Sequence, residues 1–406
     1  MRGVRRCGAG GAQVASGRVN VIIDQDASRP RSFAQAARAG EAPPPPTGSL
    51  LRGASTRHAE TRAGCVSSRH EPKKGRSVEV LTLGEALVCF SRPTDPEEAA
   101  RGRYVRSMGG AEANTAMGLA RLGHDVVWAS MLGDDPLGEY VLDTLAGEGV
   151  RTDHVGRSAT RPTALMLKER RGAHDTAVTY YRRDSAGTEL APGHLDEAVV
   201  ASARRVHLTG VAIAIGEGPR ALVHETAERA AAAGVTVSFD PNFRPAIISE
   251  ADASNEYRRV LASTDELLCN ETEARLITGE ADLDAALDAL AALGPSTVIV
   301  KRGADGALVL HHGERRVVPA HPAPNPVDPV GAGDAFNAGW IHARLAGLGL
   351  DDSLALAAFV AAQVVQHPGD YEGFPDADAV AAFVAARDIQ QPRDIRTPSL
   401  TPSETA

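Results

Sequence analysis

From residue 78 onward, apolar runs of two kinds take turns along the chain. "VEVLTLGEAL" (78–87) is nearly continuous in apolar residues, the pattern of a strand buried on both faces. "AEANTAMGLARLG" (111–123) places Ala113, Ala116, Met117 and Ala120 on one face of a helix, and Gly123 is available to close it. "DVVWASM" (125–131) predicts the next strand and "GEYVLDTLAGEG" (138–149) the next helix. The alternation returns in "VHLTG" (206–210), a helix over 218–233, "VTVSFD" (235–240), "DELLCN" (265–270), a helix over 283–293 and "STVIVK" (296–301). Strands alternating with helices of this length predict an α/β fold, a mainly parallel central sheet covered on both faces. Ligands of such sheets bind beyond the carboxyl ends of the strands.

One region breaks this rhythm. "TALMLKERRGAHDTAVTYYRR" (163–183) reads as two extended segments joined by "RRGAHD", a hairpin turn signal. Together with residues 88–108 it predicts a small sheet standing apart from the main one, too short and too polar to fold alone. That sheet is either a lid over a ligand site or a plain surface hairpin.

Composition sets bounds on both readings. The chain has 406 residues, 43% hydrophobic and 23% charged, and no run approaches the length of a membrane span. Cys7, Cys65, Cys89 and Cys269 are scattered, so neither a disulfide framework nor a zinc site is expected, and a reducing, cytoplasmic setting is. Charge is divided unevenly. Residues 1–77 carry 12 Arg and 2 Lys against 5 Asp and Glu, a net of +9, while the whole chain stands at −9. The remainder therefore carries −18, which argues against nucleic acid as a partner. Residues 1–77 show no sustained apolar period and read as a disordered basic extension. A mis-assigned start, a solvated tail and an Arg-rich organellar presequence all account for it. Residues 78–388 form the expected domain, and 389–406 read as a disordered tail.

Chemistry concentrates in "DPVGAGDAF" (328–336), where small residues precede an acid at the start of an apolar helical run. Helix N-termini leave backbone N–H groups unpaired and carry partial positive charge. If Gly331, Ala332 and Gly333 form that turn, their amides can face an anion, such as a phosphoryl group in transfer. Asp334 would then lie where a general base takes a proton from an attacking hydroxyl, or would simply serve as a helix-start acid.

This nonapeptide resembles the C-terminal signature of the ribokinase-like (PfkB) carbohydrate kinases, and "MGGAEANTAMGLARLG" (108–123) resembles their N-terminal signature. Between them, "NETEA" (270–274) is similar to the family's Asn-x-x-Glu motif and "KRGADGALV" (301–309) to its nucleotide-side glycine segment. The four matches fall in the family's order across roughly residues 78–385. The resemblance implies a three-layer ribokinase-like α/β/α fold and ATP-dependent phosphorylation of a sugar hydroxyl. It implies Asp334 as base, with the amides of Ala332, Gly333 and Asp334 as anion hole. It places Lys301, Gly303, Gly306, Gly331 and Gly333 on the ATP side, and Asn270 with Glu273 at Mg2+ and its waters. "NETEA" reads equally as a helix-start capping box. Pro329 and Val330 stand where the family usually has Thr next, so a monovalent cation such as K+, bound nearby in some relatives, has no assured place here.

Gly110 and Asn114 match positions that meet sugar hydroxyls, and Asp328 opens the signature on the substrate side. "TYYRRDSAGTEL" (179–190) and "FDPNFRPAI" (239–247) resemble segments of 2-keto-3-deoxygluconate kinases. There, residues matched by Tyr180, Arg182 and Arg244 surround a sugar acid. A planar carboxylate suits guanidinium groups. Arg244 does not discriminate by itself, because fructokinase relatives also carry it, and it has Asp240, Asp334 or a nucleotide phosphate as other partners. Arg183 is expected to face solvent. The expected ligands are thus ATP and a sugar acid, with fructose, another ketose or ribose as alternatives. A non-catalytic sugar sensor is disfavoured by the retained Asp334 and glycines. A homo-oligomer through the exposed lid strands is a further expectation.

Overall fold

A computed structural model describes residues 18–22, 78–93, 95–170, 175–387 and 389. Its strands, in chain order, are β1 (Arg18–Ile22), β2 (Val80–Leu83), β3 (Leu87–Ser91), β4 (Val105–Gly109), β5 (Val126–Gly133), β6 (Val155–Ser158), β7 (Leu165–Arg170), β8 (Asp175–Tyr181), β9 (Arg205–Thr209), β10 (Thr236–Asp240), β11 (Glu266–Asn270), β12 (Thr297–Lys301), β13 (Ala307–His311) and β14 (Glu314–Val318). Nine of them form the central sheet in the order β14-β13-β12-β11-β10-β9-β2-β5-β6. All neighbours pair in parallel except the β12–β13–β14 hairpins at one edge.

The continuous apolar runs have a simple physical cause. Within β5, Val126 and Trp128 pack into one core while Val127 and Ala129 pack into the other. In β12, Ile299 faces the first core and Val298 and Val300 the second. Successive side chains leave opposite faces of a strand, so a sheet covered on both sides favours apolar residues at nearly every position, and the polar exceptions such as Ser130, His207 and Ser238 are hydrogen-bonded. Helices Glu217–Ala232, Glu250–Leu261 and Leu283–Ala291 cover one face. Helices Ala111–Arg121, Pro136–Gly147, Ala332–Leu345 and Leu350–Val364 cover the other. No described helix is long and apolar enough to cross a membrane.

The lid is a second sheet, ordered β1-β8-β7-β3-β4. Its own buried apolar core amounts to Cys89, Met166 and Val178, with Tyr180 packed against them. Two expectations need correcting. The run 78–87 is not one strand: it breaks at Gly84-Glu85-Ala86, and from Leu87 the chain belongs to the lid. Both halves are apolar, so hydropathy cannot mark the break. Nor is the whole of 1–77 without regular structure, because β1 pairs in parallel with β8 from Arg18↔Asp175 to Ile22↔Thr179. "RVNVI" is β-branched and strand-like, but five residues are too few to register as a period. The rest of 1–77, the turn at 171–174 and the tail 390–406 lie outside the described residues.

Candidate active site

The carboxyl ends of β10, β11 and β12 deliver Asp240, Asn270 and Lys301, and two helices begin beside them. The first of these, Ala111–Arg121, starts at Gly110, whose φ of 149° and close approach to the Glu85 carbonyl exclude a side chain. It carries Asn114 on its first turn. The second, Ala332–Leu345, starts at Gly331 with a φ of 79°, where a Cβ would come within 2.1 Å of the Asp370 carbonyl oxygen.

Asp334 is buried at 7% exposure at the third position of that second helix. The side-chain amide of Asn114 donates to its Oδ2 at 2.8 Å, and that of Asn242 to its Oδ1 at 3.3 Å. Burial pushes the Asp334 carboxyl up to about 7, against the Asn114 hydrogen bond and with the help of nearby Asp240. A carboxyl tuned in this way is matched to proton abstraction near neutral pH. Backbone amides flank it. Those of Gly333 and Asp334 have no acceptor among the described residues, as the first turn of a helix dictates. The Ala332 N–H, by contrast, already donates to the Pro329 carbonyl at 3.3 Å, which leaves two of the three amides expected to face an anion without an acceptor. Asp328 shapes the same turn by accepting from Val330 N at 3.0 Å.

Lys301 reaches this turn as well. Its ammonium would lie 3.6 Å from a Cβ placed on Gly333, and it donates to Asp240 Oδ2 at 2.8 Å and Asn337 Oδ1 at 3.2 Å. Gly303 and Gly306 lie beyond it, in the turn that joins β12 to β13.

Asn270 and Glu273 form the capping box: Asn270 Oδ1 accepts from Glu273 N at 3.0 Å, and Glu273 Oε2 from Asn270 N at 2.8 Å. Glu273 Oε1 accepts from Phe243 N at 2.9 Å, so both carboxylate oxygens serve the backbone. Among the described residues, no group of three or more His, Cys, Asp or Glu is arranged to hold a metal ion.

On the lid side, Arg182 lies beside Tyr180, 5.8 Å from its ring centre, and pairs with Glu85 at 2.6 Å. Its side chain is 10% exposed, yet Nε and Nη2 make no aligned hydrogen bond. Arg183 is exposed as expected. Arg244 is also exposed, and its charge acts on Asp334 without a hydrogen bond. Sequence reasoning missed several partners: Asn242, Glu85, Asn337, and the buried Glu112, which takes a hydrogen bond from the Thr209 hydroxyl. Burial pushes Glu112 up to about 7. An acid inside an otherwise apolar helix stripe was the available signal for Glu112. Asn242 has a φ of 38°, a backbone state that only the fold imposes.

Known proteins bear on this arrangement. Residues 78–377 match the model of the pfkB family carbohydrate kinases. A 2-dehydro-3-deoxygluconokinase of Bacillus subtilis (strain 168) is 32% identical over 300 residues, 73% of this chain and 93% of the relative. A fructokinase of Klebsiella pneumoniae is 32% identical over 282 residues, 69% of this chain and 88% of that one. Among solved structures, a PfkB protein from Polaromonas sp. JS666 superimposes with a TM-score of 0.68 at 35% identity, over 75% of this chain and 99% of its own. Fold, turn and sequence agree: this chain belongs to the pfkB family of carbohydrate kinases, phosphotransferases that act on a sugar hydroxyl.

Proposed function

We propose that the protein transfers the γ-phosphoryl group of ATP to a hydroxyl of 2-keto-3-deoxygluconate. Asp334 takes the proton of that hydroxyl as its oxygen attacks the γ-phosphorus, and ADP leaves. The free amides of Gly333 and Asp334, with the Lys301 ammonium behind them, stabilise charge on the phosphoryl oxygens. Asn114 and Asn242 hold the carboxylate in the line of attack. Magnesium enters with the nucleotide as part of the substrate, and Asn270 and Glu273 face its water shell. Gly110 and Asn114 meet the sugar hydroxyls, and Tyr180 with Arg182 closes over the acid end.

The observation that carries the substrate assignment is the buried guanidinium of Arg182, whose Nε has no acceptor among the described residues while its Nη2 lies 2.6 Å from Glu85 Oε2. A buried donor left without an acceptor is costly, and a ligand carboxylate fills it with a charge-assisted hydrogen bond. One observation favours a neutral ketose instead: Glu85 already opposes the Arg182 charge. A single panel separates the two. With ATP and magnesium, ADP release is followed on 2-keto-3-deoxygluconate, fructose, ribose and adenosine, and the sugar acid is expected to give the highest kcat/KM. Arg182→Ala should raise KM for the sugar acid by about tenfold or more, consistent with loss of a charge-assisted contact, and leave fructose nearly unchanged. Equal losses on both sugars would remove the carboxylate argument.

A further inference from the structure

One buried ion pair has no part in the chemistry above. Lys168, on β7 of the lid, reaches Asp370 in the loop after helix Leu350–Val364; the two side chains are 15% and 9% exposed. Asp370 touches three parts of the site at once. Its Oδ1 takes the Lys168 ammonium. Its Oδ2 lies against Gly109, the end of β4, so closely that a Cβ there would come within 2.4 Å. Its carbonyl oxygen lies against Gly331. Gly109 leads into Gly110 and the helix that carries Asn114, while Gly331 starts the helix that carries Asp334. The segment entering the turn is tied to the same loop, because Val327 N and Asp328 N both donate to Val365 O, at 2.7 and 3.2 Å.

We propose that Lys168 and Asp370 form a latch that sets the lid and the phosphoryl-binding turn in register, so that closing the lid and placing the Gly333 and Asp334 amides are one event. The inference rests on the kinase reading of this turn. Val88 and Met108 anchor β3 and β4 in the main core, but the β7–β8 half of the lid buries only Met166 and Val178 among its described apolar side chains, so a polar fastening from β7 adds what apolar area there does not supply. An ion pair suits that task because it is directional and is released when water enters the seam. Burial opposes the charge of Lys168, yet Asp370 holds its ammonium well above the ordinary lysine range, with Asp328 adding to the effect. Lys168 is therefore charged at neutral pH. Lys168 and Asp370 are positioning residues here, acting through the turn.

The test compares Lys168→Met, Lys168→Arg, Asp370→Asn and the Lys168→Met/Asp370→Asn double variant in the full chain. Lys168→Met should lower kcat and raise KM for the sugar, each about tenfold, and leave KM for ATP within about twofold, because lid closure is completed on the sugar side. Lys168→Arg should recover at least about half of kcat, and the double variant should be no worse than the worse single one. Hydrogen exchange of the unliganded protein supplies a readout independent of turnover: in Lys168→Met the amides of β7, β8 and residues 330–334 should speed up together. Faster exchange in the lid alone, or in neither segment, overturns the latch, as do independent, multiplying losses in the double variant. If the wild-type chain phosphorylates no sugar, the proposed function fails, while the exchange measurement still decides the latch.

Discussion

Asp334→Asn is expected to lower turnover on the order of 10²-fold or more and, at the same time, to make the protein more stable at neutral pH. Both effects follow from the burial of one carboxyl. As an ion it can deprotonate the sugar hydroxyl; an amide cannot. Burial raises it from 3.8 to about 7. Between those values the folded protein holds a proton that the unfolded chain has released, so stability falls as pH rises through this window. Above it the full cost of a buried charge is present, and the amide removes that cost, a gain on the order of a few kcal/mol. Asn242 must turn its amide over to accept from the new donor, which subtracts part of the gain. Two measurements check this. Urea unfolding of both proteins from pH 4 to 8 should show a gap in favour of Asp334→Asn that opens up to about pH 7 and then levels off. Wild-type kcat/KM should rise with pH across the same range, because only the ionised carboxyl acts as base. A variant with near-normal turnover, or one no more stable at pH 8, would sink the assignment.

Lys301→Met should be the most damaging substitution for stability near the site, at about 3–5 kcal/mol. Asp240 is almost fully buried, and burial alone would raise its carboxyl. The Lys301 ammonium and the Asn337 amide outweigh that and hold it below the usual carboxylate range. In turn, Asp240 and Glu273 keep Lys301 charged in spite of burial. Removing the ammonium leaves Asp240 as an uncompensated ion with only Asn337, at 2.6 Å, and the Asn242 amide, at 2.9 Å, to support it. Thermal unfolding should fall by on the order of 10 °C. Adding Asp240→Asn to Lys301→Met should restore more than half of the loss, since the orphaned charge is then gone. A double variant less stable than Lys301→Met alone would refute the account. The pair also predicts acid lability. Because the folded Asp240 value is depressed, its stabilisation is complete above the unfolded value of 3.8 and is lost as pH falls through the folded one.

The family's chemistry was legible in short, local signals. Gly331-Ala332-Gly333-Asp334 must be small and then acidic because a turn at a helix start has to present amides, and such a requirement is written in consecutive residues. The alternation of strand and helix was equally readable, since a sheet covered on both faces leaves its strands almost wholly apolar. Asn270 and Glu273 were readable as a capping box for the same reason: the partners lie three residues apart. The break at Gly84 and the strand at Arg18–Ile22 were not legible. The strands on either side of Gly84-Glu85-Ala86 are alike in being apolar, and a five-residue strand has no period to detect.

What the sequence by itself determined is therefore the class of fold, the glycine turn at a helix start and the acid beside it, all of which depend on residues close in the chain. Tertiary structure alone decided how that acid is tuned, because Asn114 and Asn242 arrive at Asp334 from 220 and 92 residues away. It also decided that the Ala332 amide is spent on the Pro329 carbonyl, that Lys301 is bound to Asp240, and that Lys168 meets Asp370 across 202 residues. Burial and electrostatic pairing are properties of a folded interior, where charges remote in sequence share a low-dielectric space, and no local pattern encodes which of them will meet.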